Sequence, residues 1–224
     1  MLREIVPAAV AVCETTRRFA DSFLLREERE ALGRCVPKRL QEFAAGRACA
    51  SAALKQLGYP RCPILRGTNR EPLWPSGVVG SITHCDGYCA AAVASTAAVE
   101  TIGIDAELNA PLPEGTLSLI AFDEELMMLS DLPADGVCWD RLLFSAKESL
   151  FKAWYPIERQ WLGFEDARVT FVPQNGTITA QVLRPSSSEL FQHSLRGRFT
   201  FNHEYMVTAF VISGSVSRAP VGSW

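Results

Sequence analysis

Two segments of the chain have the apolar periodicity of long helices. The first runs from about Pro37 to Leu57, with proline at a favoured first position, an alanine-rich interior and Gly58 just past the end. The second runs from Trp139 to Trp154, where apolar residues recur every three or four positions, and Pro156 is expected to stop it. The pattern therefore predicts two substantial helices, one in each half of the chain.

Shorter apolar runs rich in β-branched or small residues predict strands. These runs are Ile5 to Cys13, Val78 to Ile82, Ala90 to Ala94, Thr101 to Ile104 and Ala167 to Val172. Leu195 to Phe201 and Tyr205 to Ile212 predict a hairpin that turns at Asn202 and His203. Proline and glycine clusters at 60–75 and 111–115 divide the chain, the second near its midpoint. The mixture predicts an α+β fold with two lobes that meet near Asp105.

Composition narrows the class of protein. The chain has 224 residues, 48% hydrophobic and 21% charged, which fits one globular unit or two small lobes with a shared core. A net charge of -3 gives no basic field that would gather nucleic acid. The first apolar run is broken by Pro7 and weakly flanked, so we expect neither a signal peptide nor a membrane span, and a cytoplasmic protein. The stretch 213–224 is rich in Ser, Gly and Pro and predicts a mobile tail.

Seven cysteines form an odd, scattered set that is typical of reduced thiols in a cytosol, and we interpret them as small buried apolar residues. His84, Cys85 and Cys89 lie close together in sequence. However, the chain has no Cys-x-x-Cys pair, and its other histidines are distant. A zinc site is therefore disfavoured.

Two acidic residues follow an apolar strand and are candidates for metal binding. Strand side chains alternate, so Asp105 and Glu107 face the same way and converge. Two such charges repel each other unless a cation or donor lies between them, and magnesium prefers oxygen ligands. The alternative is a solvated strand end in a polar turn.

Glu148 and Lys152 lie four residues apart on the second helix, opposite its apolar arc. They could form a surface ion pair that stabilises the helix by roughly 0.2–0.5 kcal/mol. Alternatively, Glu148 supplies a third carboxylate to the ion, and Lys152 reaches a phosphate oxygen.

The first helix places Arg47 inside its apolar arc and Arg39 at the edge of that arc. Burying an unpaired charge is costly, so Arg47 must meet a carboxylate, solvent or a bound anion. An ion pair with Glu42 or another carboxylate is as plausible as a phosphate ligand. The two arginines are about 12 Å apart along a helix, so they could contact separate parts of one extended anion.

Two loop or strand-end segments also suit phosphate. Arg66 to Arg70 is basic and contains glycine, and Gly80 to His84 follows an apolar strand with small and hydroxylated residues. Such residues leave backbone donors free to approach an anion, and His84 would add a charge-switchable donor. Both segments could equally be ordinary loops, with His84 a satisfied histidine near the core.

Together, these residues resemble the 4′-phosphopantetheinyl transferases, specifically the larger two-lobed type that activates carrier proteins of polyketide, fatty acid and non-ribosomal peptide synthesis. The resemblance runs in order along nearly the whole chain. Its motifs are Lys38-Arg39, Glu42-Phe43 with Arg47, Trp74-Pro75, Gly80 to Cys85, Gly103 to Glu107, Phe144 to Glu148 with Lys152 to Trp154, and Trp161 to Ala167.

The resemblance implies two similar α+β lobes related by a pseudo-two-fold axis, with coenzyme A in the cleft between them. The lobes would span residues 1–104 and 105–212, followed by the tail at 213–224. Arg66 stands where the family often has lysine, which leaves the positive charge of that loop in place. Ser149 replaces a frequent alanine, and we expect it on an outer face of the helix.

The resemblance also implies roles for individual residues. Asp105, Glu107 and Glu148 would hold Mg²⁺, with Mn²⁺ as an alternative, and Lys152 would contact the pyrophosphate of coenzyme A. The nucleotide end would bind Arg39, Arg47, Arg66 and His84, with Thr83 contributing donors near the phosphates.

In the implied reaction, a serine hydroxyl of an acyl or peptidyl carrier protein attacks the β-phosphate of coenzyme A, and adenosine 3′,5′-bisphosphate leaves. Glu148 is a candidate base and Lys152 a second catalytic residue, with a metal-bound hydroxide as the competing base.

We expect a monomer with no nucleic acid or membrane partner. The segment from Phe122 to Leu132, with Met127 and Met128, is a candidate carrier-docking element or ordinary helix core. A metal-dependent phosphohydrolase and a non-catalytic coenzyme A binder are the competing functions.

Overall fold

The computed structural model of the protein describes residues 1–17 and 21–213, so almost all of the predicted tail lies outside the described residues. The fold is α+β, as predicted. The helices are α1 (Leu2–Ile5), α2 (Arg26–Leu32), α3 (Pro37–Gln56), α4 (Leu117–Ile120), α5 (Asp123–Asp131) and α6 (Trp139–Glu158). The strands are β1 (Ala11–Thr15), β2 (Leu65–Arg66), β3 (Pro72–Leu73), β4 (Val78–Cys85), β5 (Tyr88–Ser95), β6 (Thr101–Leu108), β7 (Ala167–Val172), β8 (Thr177–Val182), β9 (Leu195–Phe201) and β10 (Tyr205–Ile212).

The strands form two main antiparallel sheets. One has the order β1-β5-β4, and α3 packs on it; the other has the order β6-β10-β9-β8-β7, and α6 packs on β6 and β10. Strands β2 and β3 form a separate small ladder. Each long helix packs on an apolar face of its sheet, so that the apolar side of the helix and the covered face of the sheet are both buried.

Side-chain hydroxyls join the two sheets where β4 runs beside β6. The Ile104 N–H donates to Ser81 Oγ at 3.2 Å, and the Ala106 N–H donates to Thr83 Oγ1 at 3.0 Å. These hydroxyls accept bonds that a neighbouring strand's carbonyls would accept in a regular ladder. We call this line of contacts the hydroxyl seam. It places β4 residues against the residues of β6 that precede and follow Asp105.

Helix α6 approaches β6 closely because Gly103 has no side chain. A Cβ at Gly103 would lie 1.8 Å from the carbonyl oxygen of Ser149. Thr101 Oγ1 also donates to the Ala153 carbonyl at 2.7 Å. Ser149 is fully buried here, with its hydroxyl near the Ala146 carbonyl and Thr208. The expectation that Ser149 lies on an outer face is therefore wrong.

Several predicted elements are confirmed, and some are longer than predicted. The first helix, the β7 strand and the β9–β10 hairpin have the expected positions. Strand β4 continues to Cys85, so Thr83 and His84 lie within it. Strand β6 continues to Leu108, so Asp105 and Glu107 lie within a strand rather than beyond its end. The expected lobe boundary at 104/105 falls inside this strand.

Two predicted boundaries are wrong. The run from Ile5 to Cys13 is not one strand, because helix α1 ends at Ile5 and β1 begins at Ala11. Pro156 does not stop α6, which continues to Glu158. Proline in the last turn removes only one helical hydrogen bond. The buried Glu158 carboxylate then holds the helix end by accepting from the backbone N–H groups of Ser187 and Ser188.

Helices α1, α2 and α4 and strands β2, β3 and β8 were not predicted, whereas α5 lies in the segment from Phe122 to Leu132 that was considered as a docking element or helix core. The cysteines are free thiols; Cys49 and Cys89 are buried as expected, whereas Cys35 is exposed. Among residues 1–17 and 21–213, no helix combines the length and apolar character needed to span a bilayer.

Candidate active site

Asp105 lies at the meeting point of β4, β6 and α6. It is 5% exposed, and its Oδ1 accepts hydrogen bonds from Lys152 Nζ at 2.7 Å and Thr83 Oγ1 at 3.2 Å. Its Oδ2 is buried and has no hydrogen-bond partner among residues 1–17 and 21–213. A buried carboxylate oxygen without a partner is costly, so this position suits an additional donor or a cation.

Glu107 lies two residues further along β6 and faces the same side, as the strand alternation predicts. Arg141 Nη1 lies 3.2 Å from its Oε2. Burial, and then the negative charge of Asp105, raise the pKa of Glu107 to about 7. The two carboxylates therefore lie close enough to repel each other.

Glu148 is half-buried on α6 and belongs to the same charge cluster. Burial raises the pKa of Glu148, and Asp105 acts in the same direction while Lys152 opposes it. Lys152 forms its ion pair across to Asp105 at 2.7 Å. Its partner is thus on the neighbouring strand, which differs from the helix-surface pair that spacing alone favoured.

The described residues contain no group of three or more His, Cys, Asp or Glu side chains arranged to hold a metal ion. Lys152 and Arg141 instead neutralise Asp105 and Glu107. The chemistry nevertheless fits a divalent cation, because Asp105 Oδ2 is hard and buried, and the negative charge of Asp105 raises the pKa of both Glu107 and Glu148. The magnesium site on Asp105, Glu107 and Glu148 stays a prediction.

His84 follows Thr83 on β4 and contacts Arg39. Arg39 Nη1 lies 3.2 Å from His84 Nε2 and 3.7 Å from Glu42 Oε2. Burial lowers the pKa of His84; the positive charges of Arg39 and Lys152 add to this effect, while Glu42 and Asp105 oppose it. A neutral His84 accepts the hydrogen bond from Arg39. Because a guanidinium can only donate, His84 accepts in this contact, and its role as a charge-switchable donor to a phosphate stays a prediction.

Arg47 is 6% exposed on α3 and has backbone partners. Its Nε donates to the Ile64 carbonyl at 2.7 Å, and its guanidinium lies 4.1 Å from the centre of the Phe43 ring. Burial lowers the pKa of Arg47 to about 10. The suggested ion pair with Glu42 is not formed; Glu42 pairs with Arg39.

Arg66, on β2, lies close to Arg47. We call Arg39, Arg47 and Arg66 the arginine cluster. Its guanidinium lies 5.4 Å from the Phe43 ring, and its Nη2 donates to the Ala31 carbonyl at 2.8 Å. The charges of Arg66 and Arg39 both lower the pKa of Arg47. The three arginines singled out in the sequence therefore lie close together.

Two cavities lie near these residues, and among the predicted site residues Lys152 lines one and His84 the other. One of about 480 Å³ includes Lys152, Phe151, Tyr155, Trp74 and Arg70 in its lining. The other, of about 370 Å³, includes His84, Glu42 and Lys38. Asp105 lies beside Lys152, which lines the larger cavity.

Sequence reasoning missed the aromatic wall of the larger cavity. Phe151 and Tyr155 pack together on α6, and Trp161 lies 4.7 Å from Phe151 between ring centres. The loop after Arg66 closes against this wall, because Asn69 Nδ2 donates to the Tyr155 hydroxyl and Arg159 pairs with Glu71 at 3.1 Å. The spacing of Phe151 and Tyr155, four residues apart beside Lys152, could have indicated it. Arg141 was also missed.

Comparisons with known proteins cover nearly the whole chain. The model of the 4′-phosphopantetheinyl transferase N-terminal domain matches residues 27–94, and that of the 4′-phosphopantetheinyl transferase superfamily matches residues 101–209. The 4′-phosphopantetheinyl transferase Svp of Streptomyces mobaraensis is 45% identical over 206 residues, which cover 90% of this chain and 82% of Svp. PptT of Mycobacterium tuberculosis is 42% identical over 194 residues, which cover 84% of this chain and 86% of PptT. Enterobactin synthase component D of Salmonella typhimurium is 38% identical over 188 residues, which cover 82% of this chain and 75% of the enterobactin synthase component.

Proposed function

Because the chain belongs to the 4′-phosphopantetheinyl transferase superfamily, we propose that it transfers the 4′-phosphopantetheine group of coenzyme A to a serine hydroxyl of an apo carrier protein. The products are a holo acyl or peptidyl carrier protein and adenosine 3′,5′-bisphosphate. Two lobes, residues 1–104 and 105–212, are related by a pseudo-two-fold axis and enclose the coenzyme in their cleft. The pairing of one long helix with each sheet supports this arrangement.

The observation that carries the proposal is the environment of Asp105. A buried carboxylate with one oxygen bound to Lys152 and Thr83 and the other without a partner is poised to hold a cation beside a lysine. Asp105, Glu107 and Glu148 would hold Mg²⁺, or Mn²⁺, at this point. When bound, the ion would neutralise charge on the pyrophosphate of coenzyme A.

Lys152 would provide a positive charge to the pyrophosphate of coenzyme A. Its ammonium group lies between Asp105 and the larger cavity, so it would donate to the pyrophosphate as charge develops on the leaving group. The cavity wall formed by Phe151 and Tyr155 would receive the pantetheine arm.

The arginine cluster would bind the nucleotide end. Arg39 and Arg66 would donate hydrogen bonds to its phosphate oxygens. The buried Arg47, which lies over the Phe43 ring together with Arg66, would add a positive charge to the site without donating directly. His84 orients Arg39, and Thr83 acts on the site through its hydrogen bond to Asp105.

Glu148 would accept the proton of the attacking serine. Its raised pKa brings its basicity closer to that required at neutral pH. The serine oxygen then bonds to the β-phosphorus, and the bond to the adenosine bisphosphate breaks.

Carrier proteins of polyketide, fatty acid and non-ribosomal peptide synthesis would be the partners of a monomeric, cytoplasmic enzyme. Relatedness to an enterobactin synthase component supports peptidyl carriers among them.

The test is mass spectrometry of an apo carrier protein incubated with the protein, coenzyme A and Mg²⁺. We expect the carrier to gain one phosphopantetheine group. Glu148→Ala should abolish the gain, whereas Arg47→Ala should mainly raise the KM for coenzyme A. Unchanged mass across several acyl and peptidyl carriers, with coenzyme A binding verified, would exclude the proposed reaction.

A further inference from the structure

Glu28 is a buried carboxylate in the first turn of α2, outside every motif discussed above. It is 3% exposed. Its Oε2 accepts the Leu25 N–H at 2.9 Å, and its Oε1 accepts the Ile64 N–H at 3.0 Å. The first bond caps α2, and the second reaches 36 residues along the chain to the segment that leads into β2. Both oxygens are therefore committed to fixed backbone groups.

The peptide groups of Ile64 are held from two directions. Glu28 accepts the Ile64 N–H, and Arg47 donates to the Ile64 carbonyl. Arg47 Nη2 also reaches the Leu65 carbonyl at 3.5 Å. Arg66 follows directly, so the same contacts determine where its side chain leaves the backbone.

Helix α2 also contacts the arginine cluster directly, one turn after Glu28. The Ala31 carbonyl accepts from Arg66 Nη2. Arg47 and Arg66 both lie near the ring of Phe43. Glu28 and Ala31 thus position the two guanidinium groups relative to one aromatic ring.

The charges around Arg47 also indicate that Glu28 stabilises the arginine cluster. Arg47 is repelled by Arg66 and Arg39, and Glu28 is the leading opposing charge near it. Removing the Glu28 charge would leave a buried guanidinium with two positive neighbours. It would then be favourable for Arg47 to move or for the cluster to spread apart.

The geometry points to Glu28 as a positioning residue for coenzyme A: acting through Arg47, it keeps Arg47 and Arg66 where the anionic end of the coenzyme binds. This inference rests on the function proposed above. It assigns α2 a role in coenzyme affinity, although Glu28 itself does not line either cavity.

The chain contains a matched arrangement away from the arginine cluster. Glu125 caps α5 by accepting the Phe122 N–H at 2.9 Å, and its other oxygen accepts the Val169 N–H at 2.7 Å. Its buried cation is Lys147, at 2.8 Å, which also donates to the Phe164 carbonyl. Glu125→Gln therefore removes a carboxylate with the same two backbone roles, and in addition a direct ion pair, without touching Arg47.

The experiment is calorimetric titration of coenzyme A, with Mg²⁺ and without carrier protein, at a temperature where circular dichroism shows each variant folded. Glu28→Gln should raise the Kd about tenfold, the lower end of what removing the support of a ligand-holding group costs at metal sites. Glu125→Gln should lower the Tm at least as much, because it also breaks the ion pair with Lys147, but keep the Kd within about twofold of wild type. In transfer assays, Glu28→Gln should raise the KM for coenzyme A and leave that for the carrier unchanged.

A double-mutant cycle tests whether Glu28 acts through Arg47. Glu28→Gln with Arg47→Met should bind coenzyme A no more weakly than Arg47→Met alone. This comparison also serves if Glu28→Gln does not fold, because the double variant removes the buried guanidinium that would lack a nearby negative charge in Glu28→Gln. Additive losses of affinity, a wild-type Kd for folded Glu28→Gln, or an equal loss in Glu125→Gln would each overturn the inference.

The two proposals fail in different ways. Wild-type protein that binds coenzyme A but leaves every carrier unmodified would contradict the transferase, while the comparison of Glu28 variants would still hold. Wild-type protein that modifies carriers, with Glu28 variants of unchanged coenzyme affinity, would contradict only the role of Glu28.

Discussion

Single side chains at the proposed site have more than one partner, and this determines what each can do. Thr83 Oγ1 donates to Asp105 and accepts the Ala106 N–H, so its hydroxyl has a fixed direction. Lys152 also lies 3.5 Å from the same hydroxyl. Thr83 thus holds Asp105 in place, and the phosphate contact implied by the family resemblance stays a prediction.

Replacement of Thr83 tests this role. Thr83→Val keeps the shape of the side chain but removes both hydrogen bonds, and leaving the buried partners unsatisfied should cost about 1–3 kcal/mol of stability. We also expect a higher Mg²⁺ concentration for half-maximal transfer, and a smaller Tm increase on adding Mg²⁺. Thr83→Ser retains the hydroxyl and should restore both quantities. Valine and serine variants with the same Mg²⁺ response would show that the hydroxyl has no such role.

The carboxylate cluster predicts a pH-dependent response to metal. The pKa of Glu107 is raised from 4.5 to about 7, so the folded protein binds more protons than the unfolded chain between these values. The stability that this group contributes is present at low pH and is lost as pH rises through about 7. A divalent cation competes with the same protons and relieves the same repulsion.

Differential scanning fluorimetry in the absence of coenzyme A can measure this. The Tm increase caused by Mg²⁺ should be larger at pH 8 than at pH 6. In Glu107→Gln, which cannot ionise, the difference between the two pH values should shrink. A Tm increase that is independent of pH in the wild type would argue against metal binding by this cluster.

Among the elements, α5 has two neighbouring methionines in different environments. Met127 is 69% exposed, whereas Met128 packs against the core that surrounds α6. Leu119 in α4 is also exposed. The buried pair of Glu125 and Lys147 fixes α5 against α6 and β7, so its exposed residues are presented on a stable surface. The sequence did not distinguish the two methionines, and their different exposure leads us to expect separate roles.

Alanine substitutions distinguish them. Met127→Ala should raise the KM for the carrier protein and leave the KM for coenzyme A and the Tm nearly unchanged, because its side chain contributes mainly exposed apolar surface. Met128→Ala should instead lower stability, by less than the about 2–5 kcal/mol typical of a fully buried methionine, because Met128 is only partly buried. Steady-state kinetics with each substrate varied, together with urea unfolding, make the comparison. A carrier KM that is unaffected by Met127→Ala would remove α5 as a docking element.

At the scale of the whole molecule, the two sheets share one core. Ala90 and Ala92 of the first sheet pack in the same buried cluster as Ile102 and Ile104 of the second. The hydroxyl seam adds polar contacts across this boundary. The family matches meet between residues 94 and 101, where the chain passes from β5 to β6. The halves are thus distinct in sequence but continuous in packing.

This shared core predicts cooperative unfolding. Calorimetry should show a single transition with the van't Hoff enthalpy equal to the calorimetric enthalpy, since neither sheet keeps its buried face without the other. Saturating coenzyme A should raise the temperature of that one transition. Two separate transitions, with only one responding to coenzyme A, would show that the halves unfold independently.

The sequence by itself determined the local structure and the identity of the chemical groups. Proline, alanine and glycine placed α3 correctly, and alternation placed β7 and the β9–β10 hairpin, because these signals depend on residues close together in the chain. Strand periodicity also put Asp105 and Glu107 on one face. The motifs, taken in order, indicated the family.

Only the tertiary structure decided the partners of those groups. Lys152 pairs with Asp105 from 47 positions away, Arg47 donates to the Ile64 carbonyl, and Ser149 packs against Thr208. Helix α2 was missed, although its Glu28 holds the segment beside the arginine cluster. Such contacts depend on how sheets and helices approach one another, and spacing within a single element carries no information about them.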